Sequence, residues 1–531
     1  MPGYLALVLH AHLPYVRHPE HPRFLEEHWL FEAITDSYLP LIDLLRTRAG
    51  LDREPALTLS LSPTLIAMLG DPLLQARYRD YLDRRTRLCE AEIRRHRDAP
   101  HLRALAEGYL DDLCRLSAFY LEDLGGDLVR AFADLEAAGL VELMTTAATH
   151  GYLPLLRTSP AAVRAQLQVG QDAFRAAFGH RSRGLWLPEC GYFEGLEAEV
   201  AAAGFDYFIV DTHGLQSARP PPPMGVRAPL EVGTGVACFG RDPDSAREIW
   251  SPTEGFPGHP DYREYHSDIG LVPDPGRLGD FLPPGVAAAP TGIKYHRVTG
   301  GTGPKGLYDP AAAAERAEAD AAVFLARRRV ALSRSRPGGA PPVLVCPYDA
   351  ELFGHWWHEG PGFLAAVLAG LAGRGELRAT SLGAYLDHYG CAGAARPAPS
   401  SWGEHGYNAA WLTRDTGWIY PLLDAAAGEL ADLVGRHLAG QGPGLDPSRE
   451  HQGRILRQAG RSLLLAQASD WPFHIARGTA ADYARTRLRD HLARLKVLMD
   501  SAAGAPLDPR RLEALEALDN PFPNLDLRRF I

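Results

Sequence analysis

Short apolar runs that stop abruptly at polar residues recur along the chain. Residues 4–9 (YLALVL) lead straight into His10-Ala11-His12-Leu13-Pro14, and similar runs stand at 56–61, 141–145, 184–187, 207–210 and 343–346. A run of this length, apolar throughout and bounded by polar or turn-forming residues, reads as a buried strand. Stretches with helical spacing separate most of these runs, and buried strands alternating with helices predict a parallel sheet or barrel. In a β/α barrel the chemistry gathers where strands end, so the polar residues after each run are the first candidates.

The alternation breaks in several places. Residues 71–138 are dense in Arg, Leu, Asp and Ala at helical spacing, with no strand run, which predicts an inserted helical subdomain. Residues 211–291 are rich in Pro and Gly, with four prolines in a row at 220–223. A span this long without clear elements is more often a functional loop than filler. A strong helix is predicted over 310–335, and beyond RPAPS at 396–400 the composition shifts, with 417–498 largely helical. The expected class is α/β. A barrel is built from 1–70 and 139–395 with a long active-site loop region at 211–291, and a C-terminal all-helical domain covers 396–531.

Composition narrows the ligand rather than the fold. The 531 residues are 46% hydrophobic and 23% charged, which excludes wholesale disorder. A net charge of −10 argues against a sequence-independent grip on nucleic acid or an anionic membrane, and leaves a neutral, polyhydroxylated ligand easier to reconcile. No apolar run reaches the roughly 18 residues of a membrane helix. The start, Met-Pro-Gly-Tyr, has no basic stretch or small-residue cleavage site. Cys89, Cys114, Cys190, Cys238, Cys346 and Cys391 lie far apart without a CxxC, so reduced thiols in a cytoplasmic protein are expected. A monomer is expected as well.

Two carboxylates stand out. Glu189 follows the run 184–187 in GLWLPECGY, and Asp349 follows 343–346 in VLVCPYDAELFGHWW. Either alone could cap a helix, but a pair at two strand ends among aromatics favours catalysis. Converging carboxyls suit glycosidic bond cleavage, one as nucleophile or base and the other as proton donor. Trp186, Tyr348 and Trp356 would raise the acid's pKa by desolvation. Trp29, Trp250, Trp402, Trp411 and Trp471 are candidate sugar platforms. Core packing is the commoner fate of a single Trp, and Trp402 and Trp411, in SSWGEHGYNAAW, look less like core than Trp29 does. His10 and His12 are expected on different faces of their strand, with the second turned into the mouth, and His150 in THGYLP adds a third ring. That trio with Asp211 sustains a rival reading, a metal-dependent carbohydrate hydrolase or deacetylase.

HAHLPY at 10–15, HGYLPLL at 150–156, WLPECGY at 186–192, PYDAELFGHWW at 347–357 and AQASDWPF at 466–473 together resemble the motif regions of glycoside hydrolase family 57. FGRDPDSAREIWSPTEGFPG at 239–258 and the helical C-terminal region resemble that family's 1,4-α-glucan branching enzymes. The resemblance implies an incomplete (β/α)7 barrel with a helical insertion, and a retaining double displacement without metal or other cofactor. Carried over by position, it makes Glu189 the nucleophile and Asp349 the acid/base. His10, His12 and His150 would line the donor sugar site, and Trp29, Trp402 and Trp411 would hold glucan chains. His355, Trp356, Asp470 and Trp471, inside the motifs, are counted with the substrate-binding set. The implied partner is an α-glucan such as amylose, glycogen or starch.

One departure matters. Similar branching enzymes carry a tyrosine near the tip of a loop over the site, where this chain has Leu230 or Glu231, and no tyrosine occurs between Tyr207 and Tyr262. Its loss is expected to favour water over a sugar acceptor, which makes an α-1,4-glucan hydrolase the alternative. A non-catalytic glucan-binding protein is a third reading, weakened by the presence of both carboxylates.

Overall fold

The computed structural model describes residues 3–48, 55–251, 254–272, 274, 276–300, 304–333, 339–372, 375–440 and 447–531. Among the described residues nine strands make one curled sheet: β1 (Gly3–Ala11), β2 (Leu57–Leu61), β3 (Val141–Thr146), β4 (Gly184–Trp186), β5 (Tyr207–Val210), β6 (Leu230–Glu231), β7 (Ala237–Gly240), β8 (Val343–Asp349) and β9 (Leu377–Ala379). Seven run parallel in the order β7-β5-β4-β3-β2-β1-β8, as an incomplete (β/α)7 barrel requires. Two short strands complete the sheet, β6 antiparallel outside β7 and β9 parallel beside the start of β1. The open edges nearly meet. Arg241 bridges Val345, and the Asp242 N–H donates to the Val345 carbonyl at 2.8 Å.

Side chains alternate across a strand, so one parity faces the barrel interior. Tyr4, Ala6, Val8, Tyr207, Ile209, Ala237, Phe239, Val343 and Val345 form that interior cluster, closed at the strands' N-terminal end by Leu382 and Tyr385 of helix Leu382–Tyr389. Leu5, Leu7 and Leu9 take the other parity and pack outward in the larger helix-covered cluster. The same parity carried on towards the strand ends brings His10, Asp211, Arg241 and Asp349 to the mouth. Register then sets neighbours, since His10 of β1 lies opposite Ser60 of β2 and Asp349 of β8.

Between β2 and β3 stand helices Pro63–Leu69, Pro72–Arg95, Pro100–Ala118 and Leu128–Ala137. The second starts where Asp71 accepts the Leu73 and Leu74 N–H groups ahead of Pro72, a favourable cap. After the barrel come Ile419–Ala439, Pro447–Ala466, Asp470–Arg477, Ala481–Ala502 and Pro509–Leu518. Residues of these helices share one core with Leu185, Phe208 and Val210, on the outward faces of β4 and β5. No helix among the described residues is long and apolar enough to cross a membrane.

One expectation needs correction. The span 211–291 is not devoid of elements: it contains β6, β7 and helix Pro243–Trp250. β7 (ACFG) is four residues with no β-branched side chain, so its sequence carries little strand signal. The helix predicted over 310–335 is described to Ser333, and 334–335 lie outside the described residues.

Candidate active site

The end of β4 presents Glu189 in a turn where its own backbone is left-handed, with φ 60° and ψ 25°. For a residue with a Cβ that conformation costs about 1–2 kcal/mol, and it persists only where the surroundings impose it. Here they do. Trp402 holds Glu189 twice, its backbone N–H donating to the Glu189 carbonyl at 3.0 Å and its indole Nε1–H to Oε2 at 2.7 Å. The Ser469 hydroxyl lies 3.2 Å from Oε1. Burial pushes the Glu189 pKa up to about 7, with the Asp470 charge adding, against the pull of Trp402, His12 and Ser469.

Asp349 ends β8 on the opposite side of His10. Burial and the charges of Glu351 and Glu189 hold its carboxyl well above the usual range, opposed only by Arg241. Among the described residues no donor is recorded on its side chain. Two carboxyls thus sit in contrasting surroundings, one gripped by donors that favour the anion and one without them. A contrast of this kind is what a base or nucleophile paired with a separate acid requires.

Three histidines converge beside them. His10 stacks on Trp186 with ring centres 4.5 Å apart, and places Nδ1 at 2.9 Å from Ser60 Oγ and Nε2 at 3.0 Å from His150 Nε2. His150, itself at φ 55°, places Nδ1 at 2.9 Å from Ser469 Oγ. His12 lies face to face with His150 at 4.0 Å and pairs through Nε2 with Asp470 at 3.3 Å. The expectation that His10 and His12 occupy different faces is wrong. Residues two apart on a strand share a face, and the two rings stack at 5.7 Å. Burial outweighs everything at His10 and His150 and lowers both pKa values, with the His12 charge adding. At His12, burial is overcome by Asp470, Glu189 and Glu351, so its pKa rises.

The rival metal set does not assemble. Asp211 is turned to Arg241 and His213, at 3.2 Å each, while the ring nitrogens of His10 and His150 are spent on each other and on two serines. Among the described residues no group of three or more His, Cys, Asp or Glu side chains is arranged to hold a metal ion.

The aromatics divide. Trp402 is half-buried at the mouth, edge-on to Trp186 at 5.1 Å with the Arg241 guanidinium over its ring. Trp29 is half-buried and stacks on His474 at 5.5 Å. Trp356 is 39% exposed, 6.2 Å from Trp250. His355 stands away from the carboxylate pair, against Asp36 at 3.4 Å and Tyr265. Trp411 and Trp471 are corrections. Trp411 is 1% exposed and stacked on Tyr152 at 4.2 Å, and Trp471 is fully buried with its Nε1–H on the Leu465 carbonyl. Both form walls rather than open platforms.

Leu230 and Glu231 are also misplaced by the sequence reading. They form β6, paired with Cys238 and Ala237 at the start of β7, so Glu231 lies toward the strands' N-terminal end, opposite the mouth. Its Oε1 accepts the Gly233 and Gly235 N–H groups at 2.8 Å each and ties off the turn. It is no loop over the site, and the missing tyrosine loses its structural argument there.

Sequence reasoning missed Ser60, Arg241, Glu351, Tyr38 and Ser469. Glu351 is buried, accepts the His12 N–H at 3.1 Å and takes the Tyr38 hydroxyl. Ser469 adjoins Asp470 in a quoted motif, and Glu351 follows Asp349 by two, so proximity to flagged residues was the available signal.

Residues 6–255 match the model of glycosyl hydrolase family 57, and residues 437–530 match that of the 1,4-alpha-glucan branching enzyme C-terminal region. The chain is similar to a probable 1,4-alpha-glucan branching enzyme of Mycobacterium tuberculosis, 33% identical over 100% of this chain and 98% of that one. Among solved structures it resembles a novel alpha-amylase from Thermotoga maritima, with a TM-score of 0.90 and 34% identity over 100% and 99% of the two chains. A family 57 branching enzyme from Pyrococcus horikoshii follows at 0.86 and 30%, over 100% and 97%. The chain is an enzyme of glycosyl hydrolase family 57.

Proposed function

We propose that this enzyme is a 1,4-α-glucan branching enzyme working by retaining double displacement. The observation that carries the chemistry is the contrast between Glu189, held by Trp402 and Ser469, and Asp349, whose pKa burial and neighbouring charge raise well above the usual carboxyl range. A Glu189 oxygen attacks the anomeric carbon as Asp349 gives its proton to the departing 4-oxygen, leaving a glycosyl ester on Glu189. A glucan 6-hydroxyl then attacks that carbon, its proton passes to Asp349, and Glu189 leaves as a carboxylate. The half-buried Trp402 and Trp29 and the exposed Trp356 offer stacking faces to an α-glucan. Transfer rather than hydrolysis is supported by the relatives' names and by the matched C-terminal region. The unpaired cysteines suit a reducing cytoplasm, where the enzyme would serve glycogen synthesis.

The hydrolase reading is favoured by one finding, the likeness to the Thermotoga maritima amylase. An assay on amylose separates the two. Reducing ends are counted before and after an enzyme that cuts only α-1,6 links. A branching enzyme shows few ends before debranching and many after. Ends that appear directly, with none added by debranching, make it a hydrolase.

A further inference from the structure

Four hydrogen bonds run in series through the histidine cluster and end on Glu189. Ser60 Oγ lies 2.9 Å from His10 Nδ1, His10 Nε2 lies 3.0 Å from His150 Nε2, His150 Nδ1 lies 2.9 Å from Ser469 Oγ, and Ser469 Oγ lies 3.2 Å from Glu189 Oε1. We infer that these five side chains form a polarised relay whose direction is set by the proton on Glu189, with Ser469, His150 and His10 acting as positioning residues for it. The inference rests on Glu189 being the nucleophile.

The direction follows from counting protons. A neutral imidazole carries one N–H, so across the His10–His150 contact one Nε2 donates and the other accepts. An ionised Glu189 accepts only, so the Ser469 hydroxyl must point at Oε1. Ser469 Oγ then accepts from His150 Nδ1–H. His150 Nε2 is left bare and accepts from His10 Nε2–H, and His10 Nδ1 accepts from the Ser60 hydroxyl. Every donor is aimed toward the carboxylate.

A protonated Glu189 reverses the whole set. Its O–H points at Ser469 Oγ, the Ser469 hydroxyl turns to His150 Nδ1, and the protons of both imidazoles sit on the opposite nitrogens. The two states differ by the one proton on Glu189. The arrangement needs both rings neutral, and burial together with His12 stacked beside them lowers both pKa values. His12 itself is engaged with Asp470 and stays outside the chain of bonds.

Other groups also face Glu189. Asp470, His12 and Tyr152 lie near its carboxyl, Asp349 faces it from β8, and Arg241, paired with Asp211, lies over the Trp402 ring that donates to it. They set its midpoint but supply no alternative donor to Oε1, which within the described residues receives Ser469 and has His150 Nδ1 at 3.7 Å.

The test is ¹⁵N NMR of the full-length enzyme labelled at histidine, with His10 and His150 assigned by single replacements, beside the pH profile of kcat/KM. Above the Glu189 midpoint, His10 carries its proton on Nε2 and His150 on Nδ1. On acidification both should exchange positions together, at the pH where the acid limb of kcat/KM falls. Ser469→Ala removes the last donor, so the acid limb moves up by about one pH unit and the paired exchange disappears. Ser469→Thr keeps the hydroxyl and should restore both. Tautomers that stay fixed across the acid limb, or a limb unmoved in Ser469→Ala, overturn the relay. Turnover surviving in Glu189→Gln overturns the nucleophile assignment instead, whatever the tautomers do.

Discussion

Glu189 and Asp349 begin with nearly the same intrinsic acidity, and their neighbours pull them apart. Trp402 and Ser469 donate to Glu189 and so favour its anion, while Asp349 meets burial and the like charges of Glu351 and Glu189. A carboxyl raised in the folded state stabilises the fold while protonated. That contribution is full below its unfolded pKa and is lost as pH rises through the folded one. Asp349→Asn removes the charge but keeps the shape. It is therefore expected to lower kcat by about 10²–10⁴-fold while leaving Tm nearly unchanged below the unfolded carboxyl pKa of about 4 and raising it increasingly as the pH climbs from there towards the elevated folded value. Calorimetry across that range checks it, and a Tm difference that shrinks with rising pH would show that Asp349 is ionised at no cost to the fold. The pair itself was legible in the sequence, because each carboxylate directly follows an apolar run. Their contrast was not, since it depends on Trp402 and Ser469, more than 200 residues downstream of Glu189.

The loop that follows Asp349 is seated by a helix defect. Between helices Glu27–Ala33 and Leu39–Arg46 the chain widens into a π turn, Ile34–Tyr38, a form common at functional sites. Asp36 pairs with His355, Ser37 Oγ accepts the His355 N–H at 3.2 Å, and the Tyr38 hydroxyl meets Glu351. Three consecutive residues thus reach one loop, and Gly354 is the point of closest approach. It has φ +117°, and a Cβ there would run into the Asp36 carbonyl oxygen. Gly354→Ala is expected to destabilise the fold by at least about 3 kcal/mol, because neither backbone can yield without breaking these bonds. A melt within a degree of the parent would refute the close approach. This seating could not be read from sequence, since a π turn leaves no periodic mark and FGHWW shows only that a glycine is present. The strands were easier, because short apolar-rich runs mark β1, β2, β3, β4, β5 and β8. β7 escaped as four residues within a Pro/Gly-rich span, and with it went the position of Glu231, whose end of the sheet only the pairing of β6 with β7 reveals.

At the scale of the molecule, the C-terminal helices reach the candidate site. Ala468 bridges Gly151, the Ser469 N–H donates to the His150 carbonyl at 3.2 Å, and Ser469 and Asp470 then reach Glu189 and His12. Farther out, helix Pro160–Phe178 packs against helix Ile419–Ala439, and Arg529 in the final turn forms paired bonds with Asp172 at 2.8 and 3.0 Å. The composition shift near 396–400 is visible in the sequence, but the helices beyond it bury the outward faces of β4 and β5 instead of forming a core of their own. Removing them would expose Leu185, Phe208, Val210, Val163, Leu167 and Leu196 among others, each worth about 1.5–3 kcal/mol when buried. Six such side chains already match the whole stability of an ordinary domain, about 5–15 kcal/mol. A chain ending at residue 417 keeps every barrel strand, both proposed catalytic carboxylates and Trp402. It is nevertheless expected to be recovered without a cooperative melt and without turnover on amylose. A soluble, cooperatively melting 1–417 fragment would show that the barrel holds its own core. Such a fragment that also retained activity would remove Ser469 and Asp470 from any part in the chemistry.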